Sequence, residues 1–157
     1  MRILLATDGS YFSNRGVDEA LALLPLKQAQ VTVLAVRALP EELATAGMPA
    51  DGMEDLDAAC HEAIAYATRH FAAAGVSASV LERTGDPATE VLAVARELQP
   101  HVIVLGSHGR GSMSQALMGS VAAAVTREWG GTVLIAGDRV EAVPGSEPAL
   151  GTSALGR

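Results

Sequence analysis

The chain has 157 residues, 49% of them apolar and 18% charged, a composition that can pack a core and excludes an intrinsically disordered chain. A formal charge of −7 and a single lysine, Lys27, exclude a broad nucleic-acid surface, which needs clustered cations against phosphates. One Trp, two Tyr and two Phe leave the core to Ala, Val, Leu and Ile, and the lone Cys60 cannot form an internal disulfide.

The first apolar run, "ILLAT" (3–7), stops at Asp8 and is too short for a signal-peptide core or a membrane span. No other segment approaches the length of a span, so a soluble, cytoplasmic protein without a membrane partner is expected. Val17, Ala20, Leu21 and Leu24 keep the i, i+3, i+4, i+7 spacing of a helix, and "VTVLAV" (31–36) follows as a second strand. Residues 38–55, rich in Pro, Gly and acids, break the pattern and read as a long mobile loop. Leu56, Ala59, Ala63, Ala67, Phe71 and Ala74 then predict a longer helix that ends at Gly75.

"VSASVL" (76–81) alternates, as a strand near a sheet edge does. Asp86-Pro87 places a capping carboxylate before a proline at the first helical position, Val91, Val94, Ala95 and Leu98 share one face, and Pro100 closes that helix. "VIVLG" (102–106) and "TVLIAG" (132–137) are further strands. Between them Ser120 is expected to cap a last helix through Val121, Ala124, Val125 and Glu128, stopped by Gly130-Gly131. Nearly continuous apolar strands alternating with helices predict an α/β fold, a doubly wound parallel sheet with helices on both faces. One domain over 1–138 and a flexible C-terminal tail over 139–157 are expected.

The stretch "GSHGRGSMSQALMGS" (106–120) joins the fourth strand to the last helix. The familiar phosphate loop ends in Gly-Lys-Ser/Thr, whereas here Gly119-Ser120 lacks the lysine. Gly106 at a strand end lets the backbone turn and a ligand approach closely. Gly119 leaves no side chain between phosphates and the free N–H groups of the helix's first turn, and Ser120 is suited to cap that turn or to donate to a phosphate oxygen. Against this stands a plain Gly/Ser connection before a capped helix. Asp8 suits ribose hydroxyls or a base amine, or else the N-cap of the first helix; Arg110 is either a phosphate contact or a solvated cation. His108 is assigned no role.

In "ILLATDGS", "TGDPATEVLAVA" and "VIVLGSHGRGSMSQALMGSVAAAV" the chain resembles the universal stress proteins, and its G-x2-G-x9-G-[ST] loop resembles that of their ATP-binding branch. The resemblance spans about residues 2–137; "WGGTVLIAG" departs from the family's usual entry to the final strand. It implies a Rossmann-like five-stranded sheet of order 3-2-1-4-5. It further implies Ala6, Thr7 and Asp8 along adenine and ribose, Val36 against the adenine, and Gly106, Gly109, Arg110, Gly119, Ser120 and Val121 around ribose and phosphates. The implied ligand is ATP, with Mg²⁺ held mainly by the phosphates. The implied partner is a second copy, paired through Thr132 to Gly137, where an apolar edge strand without charge or proline needs covering.

Two chemical alternatives follow. Fast phosphoryl transfer needs a positioned metal, an oriented nucleophile and stabilised transition-state charge; with no loop lysine and no evident base, slow ATP hydrolysis is the most this sequence supports. A receiver domain would need a lysine after the fifth strand, where "GDRV" stands, and is rejected. An ATP-binding regulatory, stress-response protein is the reading preferred; a slow ATPase and a dimeric scaffold that binds no nucleotide are the alternatives.

Overall fold

The computed structural model of the protein describes residues 1–38, 50–110 and 118–138. Its elements, in chain order, are β1 (Arg2–Thr7), α1 (Tyr11–Leu23), a 3-10 turn (Leu26–Gln28), β2 (Gln30–Ala38), α2 (Ala50–Ala73), β3 (Ala78–Gly85), α3 (Pro87–Leu98), β4 (Val102–Gly106), α4 (Ser120–Glu128) and β5 (Thr132–Ala136). The strands form one sheet of order β3-β2-β1-β4-β5, and every pairing is parallel.

Side chains alternate across each strand, so a continuous apolar run feeds two cores. Ile3 and Leu5 of β1, Val31 and Val33 of β2 and Val102 and Val104 of β4 meet Val17 and Ala20 of α1 and Ala67 and Phe71 of α2 on one face. Leu4, Leu34, Ile103 and Leu105 meet Val91, Leu92, Val94 and Ala95 of α3 and Val125 of α4 on the other. Each of the larger aliphatic side chains contributes about 1.5–3 kcal/mol by leaving water. Among the described residues no helix is long and apolar enough to cross a membrane.

Three expectations need correction. Strand β3 lies at 78–85 and not at 76–81: Val76 is buried in the turn after α2, and the mixed sequence "ERTG" completes the pairing with β2 up to Ala38↔Gly85. A strand at the sheet edge has one ladder partner and tolerates such polar residues. Residues 38–55 are not all loop, because Ala38 ends β2 and α2 begins at Ala50; residues 39–49 lie outside the described residues, as does the tail from 139. One helical glycine, Gly52, costs only about 1 kcal/mol and does not prevent that early start. Finally, Ser120 does not cap α4: Gly119 occupies the cap position, with no side-chain cap bond, and Ser120 is the first helical residue.

The expected cap of α3 is present. Asp86 Oδ1 accepts from Thr89 N at 2.8 Å and from Thr89 Oγ1 at 2.6 Å, and these bonds hold its carboxyl below the ordinary value of 3.8. A group whose folded pKa is depressed stabilises the fold above its unfolded pKa, and that contribution is lost as pH falls through the folded value. Asp86→Ala should therefore lower stability by about 1 kcal/mol at neutral pH. In urea unfolding, the gap between parent and variant should close progressively as the pH is taken below 3.8. A gap of the same size at every pH would show that the carboxylate does not supply this stability.

Candidate functional site

The direction of the connections changes between β1 and β4, the neighbours at the centre of the sheet. Crevices open at the carboxyl ends of strands at such a point. A cavity of about 640 Å³ occupies this one, within the roughly 300–1,000 Å³ usual for small-molecule sites. All ten residues singled out from the sequence line it: Ala6, Thr7 and Asp8 after β1, Val36 near the end of β2, Gly106, Gly109 and Arg110 after β4, and Gly119, Ser120 and Val121 at the start of α4.

The two ends of the cavity differ chemically. One end is apolar, formed by Leu34, Val36 and Ala38 of β2 and by Leu56, Ala59 and Cys60 of α2. Strand β2 pairs with β1 only as far as Thr7↔Ala35, while its pairing with β3 continues to Ala38↔Gly85. The β1 side of Val36–Ala38 is thus left without a ladder partner beside the cavity. The other end is polar and made largely of backbone. Among the described residues no side chain caps α4, so the first-turn N–H groups and the positive end of the helix dipole open onto it.

Packing requires glycine at Gly106 and leaves little room for a side chain at Gly119. A Cβ on Gly106 would stand 2.6 Å from Phe12 C and Ser13 N, the backbone of the first turn of α1. The structural reason for Gly106 is therefore helix packing against β4, although the residue also borders the cavity. At Gly119 a Cβ would meet His108 Cα and Ser107 O at 3.1 Å, because the chain leaving β4 passes directly beneath the start of α4. Gly119 N donates to Ser107 O at 2.8 Å and locks that crossing.

Asp8 is not the N-cap of α1. Ser10 holds that position and accepts from Ser13 N at 3.3 Å, while Asp8 accepts from Ser10 N and, across the crevice, from Arg110 N, each at 3.0 Å. Behind it, the buried Thr7 and Ser13 hydroxyls lie 3.1 Å apart, so these polar groups in the core wall are satisfied. His108, given no role from the sequence, lines the cavity with its ring 4.9 Å from that of Phe12 and its Nδ1 3.0 Å from Ser107 Oγ.

The sequence reading missed the α2 wall. Leu56 and Ala59 were read only as part of the spacing that predicts this helix; of that stripe Ala63, Ala67 and Phe71 are fully buried, while Leu56 and Ala59 line the cavity. Arg37 was missed as well: it lines the cavity and bonds to Asp57 of α2, to Glu82 at 3.5 Å and to Thr84 Oγ1 at 3.0 Å on β3. Burial, then the Glu82 carboxylate, push the Cys60 thiol up, with a smaller push from Asp57; Arg37 and Arg110 oppose them. Cys60 is therefore a wall residue and not an activated nucleophile. No group of three or more His, Cys, Asp or Glu among the described residues could hold a metal ion.

Comparison with known proteins agrees with this architecture. Residues 1–136 match the Universal stress protein family. The universal stress protein YxiE of Bacillus subtilis is 28% identical over 135 residues, which cover 80% of this chain and 91% of that one. A universal stress protein solved in complex with cAMP is 24% identical with a TM-score of 0.60, over 86% of this chain and 95% of that one. A family member from Arabidopsis thaliana solved with AMP bound is 13% identical with a TM-score of 0.66, over 93% and 97%. At these identities the solved structures establish the shared fold, and the match over nearly all the described chain establishes the kinship: the protein belongs to the universal stress protein family.

Proposed function

We propose that this protein binds an adenine nucleotide, ATP with Mg²⁺, in the crevice between β1 and β4 and acts as a nucleotide-dependent regulatory protein of the stress response. The observation that carries this reading is the start of α4, which no side chain among the described residues caps, opening onto a cavity whose opposite end is apolar. A nucleotide has the matching asymmetry, a flat base at one end and phosphates at the other. The base lies along Val36 and Ala6, where β2 offers unpaired backbone, and the ribose lies over Thr7 and Gly106. The phosphates meet the amides of Ser120 and Val121, with Gly109 and Arg110 alongside. The relatives solved with cAMP and AMP support the same ligand class.

The absent loop lysine does not weaken this, since backbone amides and a helix dipole suffice to hold an anion. With Asp8 the single carboxylate on the cavity among the described residues, Mg²⁺ is held mainly by phosphate oxygens and water, its usual mode beside nucleotides. Occupancy then changes the protein's own association or its affinity for a partner in the cytoplasm. Two copies pair through the exposed edge of β5, where Val133, Leu134 and Ile135 remain half-buried in the single chain.

Ser120→Asp separates binding from folding. A carboxylate in the first turn of α4 suits the helix dipole, so the melting temperature should not fall, but it repels phosphates from the same amides. Isothermal titration with Mg-ATP should show affinity reduced at least about tenfold, the scale of 1.4 kcal/mol. Equal affinity in parent and variant would remove the phosphates from this helix.

Turnover should lie far below the roughly 1–100 s⁻¹ of kinases, because no lysine or base stands ready for the γ-phosphate. Steady-state phosphate release is the measurement; robust turnover abolished by Asp8→Ala would make the protein an enzyme.

Light scattering at micromolar concentration should give twice the chain mass of 16.1 kDa. Ile135→Lys, which places a charge in the proposed strand interface, should return the mass to that of one chain. A parent protein that already scatters as a single chain excludes the β5 dimer.

A further inference from the structure

Asp8 is placed to touch a nucleotide, yet both its carboxylate oxygens already accept backbone hydrogens, from two different segments. Oδ1 accepts from Ser10 N and Oδ2 from Arg110 N, each at 3.0 Å. Three more contacts cross the same gap between the β1–α1 turn and the segment after β4. Ser10 Oγ donates to the His108 carbonyl at 3.4 Å, the Phe12 and His108 rings lie 4.9 Å apart, and the Arg110 guanidinium lies over Gly9, where a Cβ would approach Nη2 to 2.7 Å. Gly109 belongs to the same arrangement: a Cβ there would stand 2.9 Å from Asp8 Oδ2.

We infer that Asp8 is a positioning residue for the phosphate end of the cavity, a clasp that ties residues 108–110 to the β1–α1 turn. Its effect on nucleotide affinity runs through the phosphates and not through base or ribose. The clasped segment continues to the helix start, since Ser107 O accepts from Gly119 N at 2.8 Å. Hydrogen bonds from backbone N–H to a carboxylate are about twice as strong as neutral ones, so this one acid sets where the loop lies beneath the α4 amides. The inference rests on the nucleotide reading and specifies which part of the ligand feels Asp8.

Asp8→Asn keeps the shape but can offer only one acceptor, so either Ser10 N or Arg110 N faces an amide donor. Gly109→Ala attacks the same bond from the other side, and Gly109 is not among the glycines with positive φ, so alanine meets no conformational barrier there. Without any ligand, NMR-detected exchange of the Arg110 amide should accelerate about tenfold in each variant, and the double variant should fall well short of the product, as for residues acting through one contact. Unchanged exchange in both single variants would overturn the clasp whatever the protein binds. With ligand, Asp8→Asn should lose about tenfold in affinity for Mg-ATP and less than about twofold for adenosine. An equal loss for both would mean direct contact with base or ribose and overturn the phosphate route. A parent that binds neither would fail the nucleotide reading, and the exchange measurement would still decide the clasp.

Discussion

A parallel sheet buried on both faces is the constraint from which the rest of the molecule follows. Each strand must place apolar side chains above and below, and each crossover must return over one face, so helices accumulate on both sides. Where the winding reverses, between β1 and β4, no helix can cover the strand ends and a crevice is left. Leu5 pairs with Val104 across that junction, so whatever follows β1 and β4 must face each other within a few residues. The cost of closeness falls on Gly106: α1 starts so near the end of β4 that no side chain fits between them. That contact presses the β1–α1 turn against the loop after β4, and Asp8 then finds the Arg110 amide within reach.

The electrostatics of the site are local and owe little to net charge. A chain of −7 with one lysine has no long-range pull on an anion. The positive character of the polar end comes from fixed backbone dipoles, whose orientation is set by folding and needs no side chain to be ordered on binding. Arg37, although on the cavity wall, is committed to Asp57 and Glu82, while the Arg110 guanidinium lies over Gly9 beside the polar end. On the nucleotide reading proposed above, such a site would hold phosphates without activating them.

The strands, the helices and both cores were legible because period-2 and period-3.6 patterns leave direct marks in sequence, as in Ile3 to Leu5 or in Val91, Val94 and Ala95, whereas the sheet order came from the family resemblance. Once the resemblance supplied that order, the meeting of Asp8 with the loop that begins at Gly106 followed topologically, since strand ends adjacent in the sheet are adjacent in space. Three features were not legible. The reason for Gly106 lies in the crossing of α1 over β4, which no local pattern encodes. Ser120 has the right residue type for a cap, but the Ser107 carbonyl holds Gly119 there, so the hydroxyl falls one position too late. The α2 wall was hidden because core-facing and cavity-facing turns carry the same apolar spacing.

That helix is anchored unevenly along its length, and the gradient matters for the cavity. Its later turns bury Ala63, Ala67 and Phe71 against β1, β2 and α1, where truncating the phenylalanine alone would cost about 3–5 kcal/mol. Among the described residues, the earlier turns are tied by Arg37 to Asp57, through Nε and Oδ1 atoms that are both buried, and by the loose approach of the exposed His61 to Glu82 at 3.9 Å. An exposed approach such as that of His61 to Glu82 contributes about 0–1 kcal/mol at most and weakens with salt, whereas the Arg37–Asp57 pair is screened less because its contacting atoms are buried. The polar end is cross-braced by Asp8, Ser10, Phe12 and Gly119, and on the nucleotide reading this braced end would receive the phosphates while the early turns of α2 would border the base.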